Sequence, residues 1–222
     1  MKIAEAIEQR RSIRKFRPDP VPEATIMKIL ETAAQAPSAM NTQPWEFAVL
    51  TGETLERAKG MNIEKLRAKE QPEPEHTVMG WPPDSIFRRR QIDLAKQIFQ
   101  AMKIEREDRS GRARWLERGF RYFDAPAVII ILVDKVLSES SPLLDCGAVM
   151  QNICLAALAY DLGTCVEDQG LKYPRALREI AGIPDSKRIV IAIAIGYPDE
   201  TFPANGIETA REPIASITTW AR

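Results

Sequence analysis

Apolar residues recur at helical spacing at the start of the chain, where Ile3, Ala6 and Ile7 share a face with Arg10. The spacing predicts a helix over residues 3–11, which Pro18 and Pro20 keep from running past the following loop. A second helix is predicted from Pro22 to Ala36. Pro22 suits its first position, Ile26, Ile29, Leu30, Ala33 and Ala34 form its apolar stripe, and Pro37 stops it. The loop PSAMNTQP then leads into WEFAVLTG, which reads as a strand.

Residues 53–123 carry a polar helical pattern, broken by a loop containing Pro72, Pro74, Gly80, Pro82 and Pro83. Opposite charges interleave here, as on a solvated helix face. PAVIIILVD follows, a β-branched run of strand length that must be buried on both sides. Ser141 and Pro142 suit an N-cap and first turn. They open the most apolar helix, predicted over 142–162, too polar at Asp145, Gln151 and Asn152 to span a membrane. Its small residues, Ala148, Ala156, Ala157 and Ala159, leave room for another helix to approach. GTCVED reads as a short strand, PRALREIAG as a helix and RIVIAIAIGYP as a central strand. The tail from Asp199 reads as an arm lying on something else. Together these elements predict one α+β domain over 1–222 with a helical region inserted at about 60–120.

Composition narrows the function. Among 222 residues, 31 Lys and Arg balance 31 Asp and Glu, for a formal net charge of +0. That argues against nucleic acid as a partner, because binding there draws on an excess of cations. Any anion site is therefore local. Cys146, Cys154 and Cys165 lie in or just after an apolar stretch and form no CxxC pair. They read as reduced core thiols of a cytoplasmic protein. The opening MKIAEAIEQRR has no apolar core of the kind a secretory signal needs.

Arg10, Arg11, Ser12 and Arg14 place three guanidinium groups and a hydroxyl within five residues. Such a group can hold a phosphate by charge-assisted hydrogen bonds, or it can be a basic helix end complementing the macrodipole. The loop APSAMNTQPW offers many donors and acceptors between two prolines. With one histidine, His76, a Ser-His-Asp or Cys-His site is close to excluded. There is no metal-ligand spacing, no GxGxxG after a strand and no phosphate loop. A chain so equipped borrows its chemistry from a cofactor.

In order along the chain, IEQRRSIRKF (7–16), APSAMNTQPWEF (36–47), DCGAVMQNI (145–153), LGTC (162–165), IAIGYP (193–198) and TAREP (209–213) resemble the FMN-dependent nitroreductase family. The resemblance implies a mixed, largely antiparallel sheet wrapped by helices, in an intertwined homodimer with exchanged C-terminal arms and FMN at the interface. It implies an NAD(P)H-dependent oxidoreductase that works by ping-pong turnover on a small electron-poor acceptor such as a nitroaromatic. On this basis Arg10, Arg11, Ser12 and Arg211 are expected at the FMN phosphate and ribityl chain. Arg14 is expected at the pyrimidine edge, and Pro37, Ser38, Ala39 and Asn41 are expected from the other subunit.

Val166, Glu167 and Asp168 are expected beside the flavin ring, with the Asp168 backbone N–H toward N5 and no side chain acting as catalyst. The acidic Glu167-Asp168 pair departs from the family pattern, since carboxylates beside a reduced flavin disfavour it unless they point away. The resemblance implies that the inserted region at 60–120 forms the lid of the cavity. It is similar to the branch associated with nitroaromatic carboxylates, making Trp81, Arg88, Arg89 and Arg90 candidate substrate contacts; the alternative is a solvated helix face. Other flavin reactions on the same fold (dehalogenation, enone or quinone reduction, desaturation) and non-enzymatic FMN binding stay open.

Overall fold

A computed structural model describes residues 2–76 and 80–221. In chain order the helices are α1 (Ile3–Gln9), α2 (Glu23–Ala33), α3 (Gly52–Arg67), α4 (Ile86–Ala101), α5 (Arg109–Phe120), α6 (Leu143–Leu158) and α7 (Pro174–Ala181). The strands are β1 (Trp45–Thr51), β2 (Ala127–Asp134), β3 (Gly163–Glu167) and β4 (Lys187–Gly196). They form one sheet in the order β1-β2-β4-β3, and every pair of neighbouring strands is antiparallel. The parallel element expected of a mixed sheet is reduced to an isolated bridge between Ser12 and Thr164.

The β-branched run becomes β2 because side chains alternate across a strand and both faces of this sheet are covered. Ile129, Ile131 and Val133 enter a cluster with α2 and α6, through Ile26, Ile29, Val149 and Ile153. Val128, Ile130 and Leu132 enter a second cluster on the opposite face, with Leu55, Tyr122 and Leu177. A bulge where the β2–β4 register slips between Ile131 and Leu132 turns both Val190 and Ile191 toward the first cluster. Fully burying each such aliphatic side chain contributes about 1.5–3 kcal/mol.

Several boundaries differ from the sequence pattern. The first helix ends at Gln9, and none of its residues is buried, so Ile3 and Ile7 stay exposed. The second stops at Ala33, three residues short of the expected end. For α6, Pro142 and not Ser141 is the N-cap, without a side-chain cap bond. That helix closes at Leu158, four residues early, because Asp161 adopts a left-handed φ of 57° and Leu162 N–H returns to the Ala157 carbonyl. Leu144 remains exposed on α6, so this helix is not covered all round. The α7 helix begins on Pro174 and ends at Gly182, whose φ of 65° suits glycine.

Within the 60–120 region α4 is the least embedded helix, with Ile98 its one buried residue. By contrast α3 and α5 are rooted in the body through Leu55, Ala58, Asn62 and Phe120.

Candidate cofactor site

Because α1 stops at Gln9, Arg10 turns the chain into an extended segment that runs beside β3. Ile13 N–H donates to the Thr164 carbonyl at 2.9 Å and Arg17 N–H to that of Tyr197 at 2.8 Å. This brings Arg10, Arg11, Ser12 and Arg14 to one wall of a cavity of about 250 Å³. Glu8, Ile207, Glu208, Thr209 and Arg211 complete its lining. Among the described residues none of these four arginines is in an ion pair. Arg211 folds back on its own segment, donating to the Thr209 carbonyl and hydroxyl at 2.9 and 2.7 Å. Four guanidinium groups lining one cavity beside a hydroxyl, and paired with neither Glu8 nor Glu208 of the same lining, suit a phosphate. The residues present fit such a group.

Arg14 is the most enclosed of the four, and burial pushes its pKa down. Its N–H donates to Asn205 Oδ1 at 2.6 Å, and its carbonyl accepts from Arg118 Nη2 at 2.8 Å. Asn205 also accepts from Lys15 N–H at 3.2 Å and donates to the Lys15 and Asp199 carbonyls at 2.8 and 2.9 Å. Neither Asn205 nor Arg118 stands out in the sequence, because each meets its partner across 104 or more residues.

The 37–41 loop is compact and anchored from within the chain. Ser38 Oγ accepts from Gln43 N–H at 2.9 Å, and Ala39 N–H donates to Asp145 Oδ2 at 3.2 Å. Met40, Asn41 and Gln43 take left-handed φ values of 50°, 58° and 45°. Pro37, Ser38, Ala39 and Asn41 do not wall the cavity of Arg10 in the same chain.

At the end of β3, Val166 is partly buried against the α6 side of the sheet, and the two acids turn into local contacts. Glu167 is buried; its Oε2 accepts from Gly170 N–H at 3.0 Å and its Oε1 has no partner. Burial pushes its pKa up to about 8, so it is largely protonated at neutral pH. The Asp168 carboxylate pairs with Lys172 Nζ at 2.6 Å. One carboxyl is thus neutral and the other paired, which removes the electrostatic objection to an electron-rich ring beside this turn. The turn is held from behind by Asn62 and Tyr122, both donating to the Gly170 carbonyl, at 3.0 and 2.7 Å.

Of the lid residues, Trp81 lies against Phe87 with ring centroids 6.1 Å apart. Arg88 donates to Gln91, and Arg90 pairs with Glu212 at 2.8 Å, next to Arg211 in the tail. The Arg89 side chain is exposed. None of the four reaches the arginine cavity; Arg88 instead borders a groove on α4 with Phe99 and Arg112.

A sequence model described as the nitroreductase family matches residues 7–197. The chain is 34% identical to a chloronitrobenzene nitroreductase of Comamonas testosteroni, over 98% of this chain and 96% of that one. It is 30% identical to a 4-nitrobenzoate reductase of Pseudomonas putida, over 96% and 92% of the two. Its fold superposes with a TM-score of 0.94 on the crystal structure of an FMN and NADPH-dependent nitroreductase, NfnB, from a Sphigopyxis strain. That pair is 25% identical and each chain is covered in full.

Proposed function

The chain belongs to the nitroreductase family, and on that footing we propose that it is an FMN-dependent oxidoreductase passing electrons from NAD(P)H to small nitroaromatic acceptors. The observation that carries this reading is the cavity where Arg10, Arg11, Arg14 and Arg211 converge without a carboxylate partner. It lies on the segment that runs beside the β3 strand, whose two terminal acids are neutralised. Bound FMN supplies the hydride chemistry, accepting and releasing an electron pair at its ring. Relatives named for neutral and for acidic nitroarenes both match along the length of the chain, which supports the substrate class without choosing within it.

The residues divide the task. Arg10, Arg11, Ser12 and Arg211 hold the phosphate and ribityl chain, and Arg14 presents its charge to the pyrimidine edge. A backbone N–H of the Val166–Asp168 turn, that of Asp168, would serve the edge of the bound ring. Preorganised donors of this kind stabilise charge as it develops and need no titrating side chain.

The functional unit is a homodimer. Ile3 and Ile7 of α1, Met40 of the loop, Leu144 of α6, and Ile214 and Trp220 of the tail are all exposed apolar residues. A second copy of the chain covers such a surface and brings Pro37, Ser38, Ala39 and Asn41 to the flavin held by Arg10. The three buried free thiols suit a reducing compartment, the cytoplasm. Among the described residues no helix is long and apolar enough to cross a membrane.

Stopped-flow reduction of the FMN-loaded protein by NADH and by NADPH, followed by reoxidation with a nitroarene panel, tests the assignment. Parallel double-reciprocal lines are expected. A protein that takes up no FMN, or whose FMN is not reduced by either nucleotide, overturns it.

A further inference from the structure

We propose that Arg118 is a positioning residue for the flavin site: it acts on the Arg14 carbonyl from the inserted helices and so sets the reduction potential of bound FMN. The proposal rests on the reading that Arg14 meets the pyrimidine edge of the flavin.

The two peptide groups that flank Arg14 decide where its side chain points, and each is tied by a different part of the chain. Asn205 takes the Arg14 N–H at 2.6 Å, and Arg118 Nη2 donates to the carbonyl at 2.8 Å. Asn205 lies in the same neighbourhood and is bonded on both its oxygen and its nitrogen. Arg118 reaches in from α5, so among the described residues it is the side chain that ties the Arg14 backbone to the 60–120 region.

The Arg118 guanidinium is itself fixed. Nη1 lies 3.3 Å from Asp124, and the group stacks 4.7 Å from the centroid of the Phe202 ring. Its Nε–H is buried without an acceptor. A buried donor left unpaired is destabilising. Stability alone does not explain an arginine that gives up one donor to deliver another to a backbone carbonyl. Holding Arg14 does.

A cation at the pyrimidine edge favours the reduced flavin, which carries more negative charge, and a charge held in place does so more than one that wanders. Loosening Arg14 therefore lowers the potential. The test measures the two-electron potential of bound FMN, and the affinity for oxidised FMN, in Arg118→Met, Arg14→Met and the double variant. Arg118→Met is expected to weaken binding of reduced relative to oxidised FMN about tenfold, a shift of about 30 mV to more negative potential. Arg14→Met should move the potential further in the same direction, and adding Arg118→Met to it should change nothing more.

Phe202→Leu, which removes the ring under the guanidinium, gives a second route should Arg118→Met fold poorly; it should shift the potential the same way. A potential unmoved in both Arg118→Met and Phe202→Leu, while Arg14→Met moves it, overturns the proposal. So does an Arg118→Met shift that persists at full size in the Arg14→Met background. An unmoved potential in Arg14→Met overturns the placement of Arg14 at the flavin, and the proposal with it.

Discussion

The phenol of Tyr122 donates to the Gly170 carbonyl at 2.7 Å, and a Cβ added to Gly170 would lie 2.1 Å from the Tyr122 ring. The hydrogen bond is possible only because residue 170 has no side chain. Gly170→Ala is therefore expected to cost at least about 1–3 kcal/mol by overpacking. Tyr122→Phe should cost only about 1 kcal/mol, because Asn62 still donates to the same carbonyl. Urea unfolding of the two variants checks the order. Equal losses would show that the ring is not wedged against the turn.

Glu167 makes stability depend on pH. In the folded chain burial holds its proton up to about pH 8, against Tyr122, Asp168 and Lys172 as its charged or titratable neighbours. Unfolded, it loses the proton near about pH 4.3. Between those values the folded state binds more protons, so its contribution to stability falls as pH rises, by up to about 1.4 kcal/mol per unit. Glu167→Gln should flatten this slope between pH 5 and 8 and be the more stable form at pH 8. Melts across that range showing parallel profiles for the two proteins would refute the buried acid.

The arginine cavity predicts which part of the flavin is gripped. Arg10→Glu or Arg211→Glu should weaken FMN binding about 10- to 100-fold, the scale of one or two charge-assisted hydrogen bonds. Riboflavin, which lacks the phosphate, should bind the wild type weakly and be little affected by either change. Fluorescence titration with both flavins separates these cases. Equal affinity for FMN and riboflavin in the wild type would remove the phosphate from this cavity.

The three arginines of α4 differ in their contacts. Arg90 is joined to Glu212 in an exposed pair, worth about 0–1 kcal/mol, and Arg88 to Gln91. Arg89 is exposed, so Arg89→Ala is expected to lower kcat/KM for nitrobenzoate relative to nitrobenzene by about 1 kcal/mol at most, the scale of an exposed charge pair. Arg90→Ala should instead affect both acceptors alike, through the tail beside Arg211. An unchanged acceptor ratio in Arg89→Ala assigns all three arginines to a solvated helix face.

Much of the fold was legible because its signals are local. The run from Val128 to Val133 could only be a doubly covered strand, and Pro174 with Gly182 marked both ends of α7. The arginines of 10–14 were legible as a candidate anion site, though spacing alone left a phosphate cradle and a basic helix end both open, and only the ordered set of motifs favours the first.

What periodicity did not show is pairing across the chain. Asp145 meets Ala39 across 106 residues, and Arg118 meets Arg14 across 104. No local pattern separates Arg118 from the other arginines of α5, since the choice between them is made by Phe202 and Asp124. The helical stripe of α1 is silent about burial for a related reason. Periodicity reports that a face is apolar, not which surface covers it, and Ile3 and Ile7 remain exposed on this chain.

The short stretch from Arg118 to Asp124 touches both sides of the candidate site, Arg14 through Arg118 and Gly170 through Tyr122. It does so in an unusual backbone, with Tyr122, Phe123 and Asp124 all at left-handed φ. Anyone grafting a lid from a relative to change acceptor choice therefore has a natural splice point. The exchange can run through α4 and into the start of α5, but a junction placed beyond Glu117 would carry off Arg118, a support of the candidate site, along with α4.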